Sequence, residues 1–343
     1  MTSPADLRLL SVTTHSYPPQ RYSGSEMSTH DMCMSLMEHG VRPTVLAKLD
    51  LKWLRRSSFP YEVIRVRDPV KQIATVVARR TPAVAVIQAG AQIECARQLV
   101  ALGVPTLVYV RDVQFERLSG AYFEHPLLSY AANSSFTAGE VQRTFGITCD
   151  VIPPLVRRAA YETESERTHV AFVNPHRAKG LRTMFALARR LPQCKFIVVE
   201  CWPLSQWDRA KLRIAAKRIG NITWCAATTD MRTVYHRARI LLAPSRWNEG
   251  WGRVVTEAHI SGIPVIATDI GGLPESVGGG GILIDRDAGD EAWADAVELL
   301  WNDPTVYAEY VAAARAASMR PEVDEHRLCE ALLAKFNAML AQK

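Results

Sequence analysis

Short apolar runs alternate with amphipathic stretches along the chain, the pattern of parallel strands covered by helices on both faces. Residues 7–12 predict a first buried strand, followed by a loop with Pro18, Pro19 and Gly24. A helix over about 26–39 comes next, stopped by Gly40, and Ser23 to Glu26 has capping-box spacing. Residues 83–88 and 105–110 predict further strands. Between them a helix carries Ile93, Cys95, Leu99 and Leu102. Thr137 to Glu140 reads as a second capping box, opening a helix that ends near Gly146. Val151-Ile152-Pro153-Pro154 is a strand running into a rigid break. The alternation restarts at 170–173, which puts a domain boundary near residue 155. A helix with Leu181, Met184, Phe185 and Ala188 follows, then strands at 196–199, 240–243 and 264–267. From Asp290 onward the pattern is helical, closing with an apolar stripe of Leu328, Leu332, Phe336 and Leu340. The fold class is α/β: two doubly wound, Rossmann-like domains facing across a cleft, with ligands expected at the carboxyl ends of the strands.

A chain of 343 residues is too long for one core, which supports two domains. Hydrophobic residues make up 48% and charged residues 22%, a globular composition. The net charge of +6 favours anionic partners: phosphates, nucleic acid or an anionic membrane surface. Lys52, Arg55, Arg56, Arg65, Arg67 and Lys71 gather part of it into a basic stretch. The seven cysteines are scattered without a CxxC or zinc-type cluster, as expected of a reduced, cytosolic set. The N-terminus carries no signal-peptide pattern. No run approaches the roughly 20 apolar residues that a membrane span needs. The expected location is cytoplasmic, with peripheral contact on the cytoplasmic face of a membrane as an option.

Residues 243–275, APSRWNEGWGRVVTEAHISGIPVIATDIGGLPE, concentrate the chemistry. A buried strand ends at Pro244, a polar loop spans Ser245 to Gly252, and a helix begins near Arg253. Gly250 and Gly252 allow close backbone approach to a ligand, and the helix start directs N–H groups and a positive dipole end at it, which suits a phosphate. Glu249 lies ahead of the helix and Glu257 about one turn inside it. Carboxylates accept hydrogen bonds from paired hydroxyls, as a sugar or ribose presents them. Taken alone, Glu249 reads as a helix-start carboxylate and Glu257 as a solvated helix residue.

The whole segment resembles the donor site of the large family of retaining GT-B glycosyltransferases (family 4 type, glycosyl transferases group 1), which includes sucrose- and mannosyl-type enzymes. That family's pattern is PS-x-x-EGFG, a helix with a second Glu, then G-x-PV-x-AT-x-x-GG-x-PE. It is matched by Pro244, Ser245, Glu249, Gly250, Trp251, Gly252, Glu257, Gly262, Pro264, Val265, Ala267, Thr268, Gly271, Gly272, Pro274 and Glu275. Residues 17–26, with Gly24, are similar to the family's first glycine loop, and 132–147 to its ANS-x-F segment. The resemblance implies transfer of a sugar from a UDP- or GDP-sugar to an acceptor hydroxyl with retention and no metal. It implies that Glu249 contacts the transferred sugar and Glu257 the ribose, while the backbone of Trp251, Gly252, Arg253 and Val254 meets sugar hydroxyls and phosphate. It further implies an acceptor-side domain over 1–155 and a donor domain over 156–323. It also implies that the helix of about 324–343 packs back on the first domain and that the two connections act as a hinge.

Three places depart from that pattern. The family's Gly-Arg pair is replaced by Asn174-Pro175, while Lys179 and Gly180 match, and Arg177 offers a second cation for the diphosphate. Arg111-Asp112 stands where the family often has a histidine, so Arg111 either serves the site or belongs to a structural pair. Glu200-Cys201-Trp202-Pro203 replaces a glycine-rich loop near the base, and Trp202 either stacks on the base or packs. Asp285-Arg286-Asp287 has metal-binding D-x-D spacing but comes too late in the second domain and reads as a surface loop. The acceptor stays open among saccharide, lipid-linked and small-molecule hydroxyls; nucleic acid is not expected. The competing reading is a non-catalytic GT-B subunit that scaffolds or activates a partner, and a third is an epimerase or phosphorylase on the same architecture.

Overall fold

A computed structural model describes residues 7–50, 58–118 and 120–342, so Lys52, Arg55 and Arg56 of the basic stretch lie outside the described residues. The chain divides into two compact units, Met1–Val156 with Asp324–Lys343, and Arg157–Val323.

In the first unit the strands are β1 (Arg8–Ser16), β2 (Arg42–Lys48), β3 (Glu62–Val66), β4 (Val84–Ala89), β5 (Thr106–Val110), β6 (Leu128–Ala132) and β7 (Asp150–Val151). They form one parallel sheet in the order β3-β2-β1-β4-β5-β6-β7. The central strands are apolar throughout because both faces are covered. Leu10, Val12, Ala85 and Ile87 point to a core closed by helices Pro69–Arg80 and Gln92–Ala101. Their neighbours Leu9, Val84 and Val86 point to the opposite core, built with helix Gly24–Glu38 and the last helix, Glu325–Ala341. That last helix buries Leu328, Cys329, Leu332, Phe336 and Met339 in the first unit, while Leu340 is only partly buried. Polar clamps fix it: Ser35 donates to Glu325 (2.7 Å) and Lys335 pairs with Asp150 (2.7 Å).

The second unit repeats the arrangement with β8 (His169–Val173), β9 (Phe196–Val199), β10 (Ile222–Cys225), β11 (Ala238–Ala243), β12 (Val265–Thr268) and β13 (Gly281–Ile284). The order is β10-β9-β8-β11-β12-β13, again all parallel. Strand order therefore reverses beside β1 in one sheet and beside β8 in the other, and ligands of doubly wound sheets bind at such points. The repeat lies in topology, not in residue identity.

Several local expectations change. Thr137 does not open its helix; Ser134 does, accepting from the Thr137 N–H (2.9 Å), so the helix runs Ser135–Phe145 with Gly146 left-handed at its end. Ser23 is the N-cap of helix Gly24–Glu38, but its hydroxyl donates to the Glu26 carboxylate instead of accepting from the helix backbone. Leu102 is 44% exposed because the helix stops at Ala101 and the chain turns outward.

Candidate functional site

In the second unit, two loops leave the carboxyl ends of β8 and β11, the adjacent strands at the switch point. The β8 loop starts at Asn174, held in the left-handed region (φ 69°), whose side-chain oxygen accepts from the Trp202 N–H (3.3 Å). Gly180 (φ 82°) ends this loop and opens helix Leu181–Arg190. A Cβ at Gly180 would lie 2.0 Å from the Pro244 carbonyl oxygen, so the glycine lets the two loops touch. The Arg246 N–H donates to the Ala178 carbonyl (2.8 Å) and ties them together.

This contact brings Lys179 to Glu249, 70 residues later: Nζ lies 2.5 Å from Oε1, which also accepts from the Ser245 hydroxyl (2.5 Å). The ammonium sits over the rings of Trp247 (4.8 Å) and Trp202 (5.3 Å), which meet edge-to-face. Trp202 also packs on His176 (5.0 Å), so it is part of the wall around Lys179. Burial, with the nearby Lys179 and Arg177 cations, lowers the His176 imidazole below its ordinary range. Arg177 is exposed and has no side-chain hydrogen bond or ion pair among the described residues. The Glu249 backbone is pinned from the other side: its carbonyl accepts from the Gly272 N–H (2.7 Å). A Cβ at Gly271 (φ 62°) would sit 2.4 Å from that oxygen. The double glycine of the motif thus holds the first glutamate in place.

Helix Arg253–Ile260 begins at Gly252, left-handed at φ 87° and backed by Leu273. Its first-turn N–H groups lack helical acceptors and give the end a positive dipole. Gly250 is buried in the loop, Val254 half-buried, and Trp251 buried with its indole N–H on Thr256 (3.0 Å), so only backbone at 251 is left for a ligand. Glu257 is no solvated helix residue. It is 5% exposed, one oxygen accepting from Arg253 Nε (2.7 Å) and the other from the Tyr235 hydroxyl (2.7 Å). Arg253 is buried too and donates to the Tyr161 hydroxyl (2.6 Å). Burial and Glu257 push the Tyr235 phenol well up, which keeps it a donor. Tyr161 and Tyr235 carry no motif in the sequence, and Arg253 is expected there only for its backbone; the four-residue spacing from Arg253 to Glu257 is the signal for its side-chain role.

In the first unit the β1/β4 switch point is equally tight. A Cβ at Gly90 (φ 79°) would overlap the Thr14 hydroxyl, which accepts from the Ala91 N–H (3.0 Å). The loop after β1 is anchored by Tyr17, whose hydroxyl meets that of Tyr61 (2.9 Å), and by a two-way amide bridge between Gln20 and Asp50. Gly24 is exposed, with nothing within 4 Å of an added Cβ, so the fold itself does not demand glycine there. Beneath it Glu26 is 1% exposed. Burial works against its charge, yet hydrogen bonds with His15 and Ser23 and the nearby Arg21 cation hold its carboxyl below the usual range. Arg111 stacks on Tyr109 (4.0 Å), and Asp112 accepts from the Gln114 N–H (3.1 Å). Asn133 of the ANS-x-F segment donates to the Arg111 carbonyl (3.0 Å). Asp285 accepts from the Asp287 N–H (2.8 Å) in an exposed turn, and the described residues hold no cluster of three or more His, Cys, Asp or Glu suited to a metal. No helix among the described residues is long and apolar enough to cross a membrane.

The chain is similar to known proteins in sequence and in fold. Residues 169–303 match the family model Glycosyl transferases group 1. A D-inositol 3-phosphate glycosyltransferase of Pseudarthrobacter chlorophenolicus is 30% identical over 233 residues, covering 58% of this chain and 54% of that protein. One of Corynebacterium jeikeium is 38% identical over 129 residues, covering 34% and 30%. The chain thus spans about half or less of the length of these curated relatives. The Anabaena protein Alr3699/HepE, solved with UDP and glucose, superposes with a TM-score of 0.77 over 97% of this chain and 100% of its own, at 18% identity. Sucrose-phosphate synthase of Thermosynechococcus elongatus gives 0.77 over 98% and 100%, at 15% identity. At such identities the likeness establishes the fold. The chain carries a Glycosyl transferases group 1 domain, and its two Rossmann-like units have the GT-B fold.

Proposed function

We propose that the protein is a glycosyltransferase that moves a sugar from a nucleotide-diphosphate donor to an acceptor hydroxyl with retention at the anomeric carbon. The observation that carries this reading is the Lys179–Glu249 pair at the switch point of the second sheet, beside the N-terminus of helix Arg253–Ile260. In this reading the second unit takes the donor. Lys179, Arg177 and the N–H groups at Gly252 to Val254 receive the diphosphate and stabilise it as it departs. Glu249, fixed by Ser245 and the double glycine, orients the sugar. Glu257, oriented by Arg253 and Tyr235, accepts from the ribose hydroxyls. Three features support a metal-free diphosphate site: the two cations, the helix end and the lowered His176. Arg111 and Gly24 belong to the first unit, which in this reading takes the acceptor. UDP-sugars are the first donors to try, since UDP-glucose is bound in the Anabaena relative.

The test is thermal unfolding against a panel of UDP- and GDP-sugars. A true donor raises the unfolding temperature with the logarithm of its concentration over Kd. Glu249→Ala should keep that shift and lose about a hundredfold or more in transfer, because the reacting carbon is no longer positioned. No shift with any nucleotide sugar, or wild-type turnover by Glu249→Ala, refutes the assignment.

A further inference from the structure

Helix Gln206–Ile219, which follows β9, presents two unlike faces. Ser205 caps its start and left-handed Gly220 ends it. Leu212, Ala215, Ala216 and Ile219 pack inward on the core of the second unit. Arg209 is tied to Glu200 (2.8 Å). The other face carries Trp207, 78% exposed, and Ile214, 53% exposed. Seven residues separate them, about two turns or roughly 10 Å along one side of the helix. Ala210, also exposed, lies between them on the same side. At 3.6 residues per turn, Lys211 and Arg218 flank this ridge on one side, and Arg213 and Lys217 on the other. All four are exposed, and none has an ion pair or side-chain hydrogen bond among the described residues. The helix has one acid, Asp208, engaged by Ser205 (2.7 Å). Lys217 and Arg218 gain from the negative end of the helix dipole, but Lys211 and Arg213 stand mid-helix, where that gain has faded.

Neither the Trp207 ring nor the mid-helix cations Lys211 and Arg213 therefore serve the stability of the second unit. We propose that this face is a docking surface for an anionic lipid bilayer, with Trp207 and Ile214 entering the headgroup boundary and the four cations meeting acidic headgroups. An apolar ridge between cationic flanks is the arrangement of interfacial helices. Nucleic acid matches the charge but not the ridge, since Ile214 has no π-face to stack on a base. A second copy matches the ridge but sets cation against cation.

The experiment is flotation of the full chain with vesicles of phosphatidylcholine alone and of equimolar phosphatidylcholine and phosphatidylglycerol. The protein should float with the second composition only and be released as salt rises. Each of Lys211→Gln, Arg213→Gln, Lys217→Gln and Arg218→Gln should weaken partitioning about fivefold. The W207A/I214A pair should weaken it about tenfold or more, even at low salt. All changed side chains are exposed, so the variants should unfold at the wild-type temperature. Four results would overturn the proposal: no flotation, equal flotation with neutral vesicles, undiminished binding by the variants, or tighter binding to a single-stranded RNA oligomer than to acidic vesicles. A dimer in size-exclusion chromatography that W207A/I214A dissociates would overturn it too, assigning the ridge to self-association.

Discussion

Glu257 separates stability from ligand binding most sharply. In Glu257→Ala the carboxylate is removed from a site where it is 5% exposed and engaged by Arg253 and Tyr235. The guanidinium stays behind, also buried. Removing one partner of a buried pair costs about 3–5 kcal/mol, because the remaining charge loses its carboxylate. For a unit of this size, 1 kcal/mol corresponds to roughly 2–4 °C, so the second unit should melt roughly 10 °C lower. Glu257→Gln retains the volume and an acceptor and should lose less, about 1–2 kcal/mol. The double variant Arg253→Met with Glu257→Met removes both charges and should recover at least about 1 kcal/mol relative to Glu257→Ala. Circular dichroism melts of the four proteins without ligand measure this directly. A Glu257→Ala protein within about 2 °C of wild type would refute the claim that this glutamate anchors its own helix. Donor affinity should then be compared only where each variant is folded.

Other consequences follow from single contacts. Gly180→Ala places a Cβ against the Pro244 carbonyl at φ 82°; it should part the two loops and lower urea stability by at least about 2 kcal/mol, and an unchanged midpoint would show that they can shift at no cost. His259, buried with Nε2 on the Gly280 carbonyl (3.0 Å), is pushed down to about 4, mainly by burial and further by Arg320, with the Gly280 bond opposing. Its folded value lies below its unfolded one of about 6.5, so the unfolded chain binds the extra proton and stability falls as pH drops from about 6.5 towards 4, by up to about 3 kcal/mol. Urea midpoints at pH 7 and pH 5 should differ in the wild type and less so in His259→Gln; equal slopes would refute it. Transfer activity should survive a strong chelator, and complete loss restored by magnesium or manganese would assign the diphosphate to a metal instead of Lys179 and Arg177.

The strands were legible because each is a short apolar run bounded by glycine, proline or polar residues, and such runs bury both faces whatever they pack against. β2, β3, β6 and β10 were not singled out. Residues such as Arg42 and Lys48 in β2, or Glu62 and Arg65 in β3, blur the run, and pairing with a neighbour makes them strands. The segment around Glu249 and Glu257 was legible as chemistry because its glycines and glutamates keep fixed spacing along one loop and helix. Which residues pair with which was not. Lys179 reaches Glu249 only because β8 and β11 are neighbours in the sheet, and Gly180 lets their loops touch. Arg253 and Glu257, four residues apart, look like an ordinary surface pair of a helix. Tyr161 and Tyr235, from 92 and 22 residues away, enclose them. Local pattern determines where strands and helices form, since each depends on neighbours within a few residues. Burial of a charge, and the meeting of a cation with its carboxylate, depend on residues brought together only by the order of the strands.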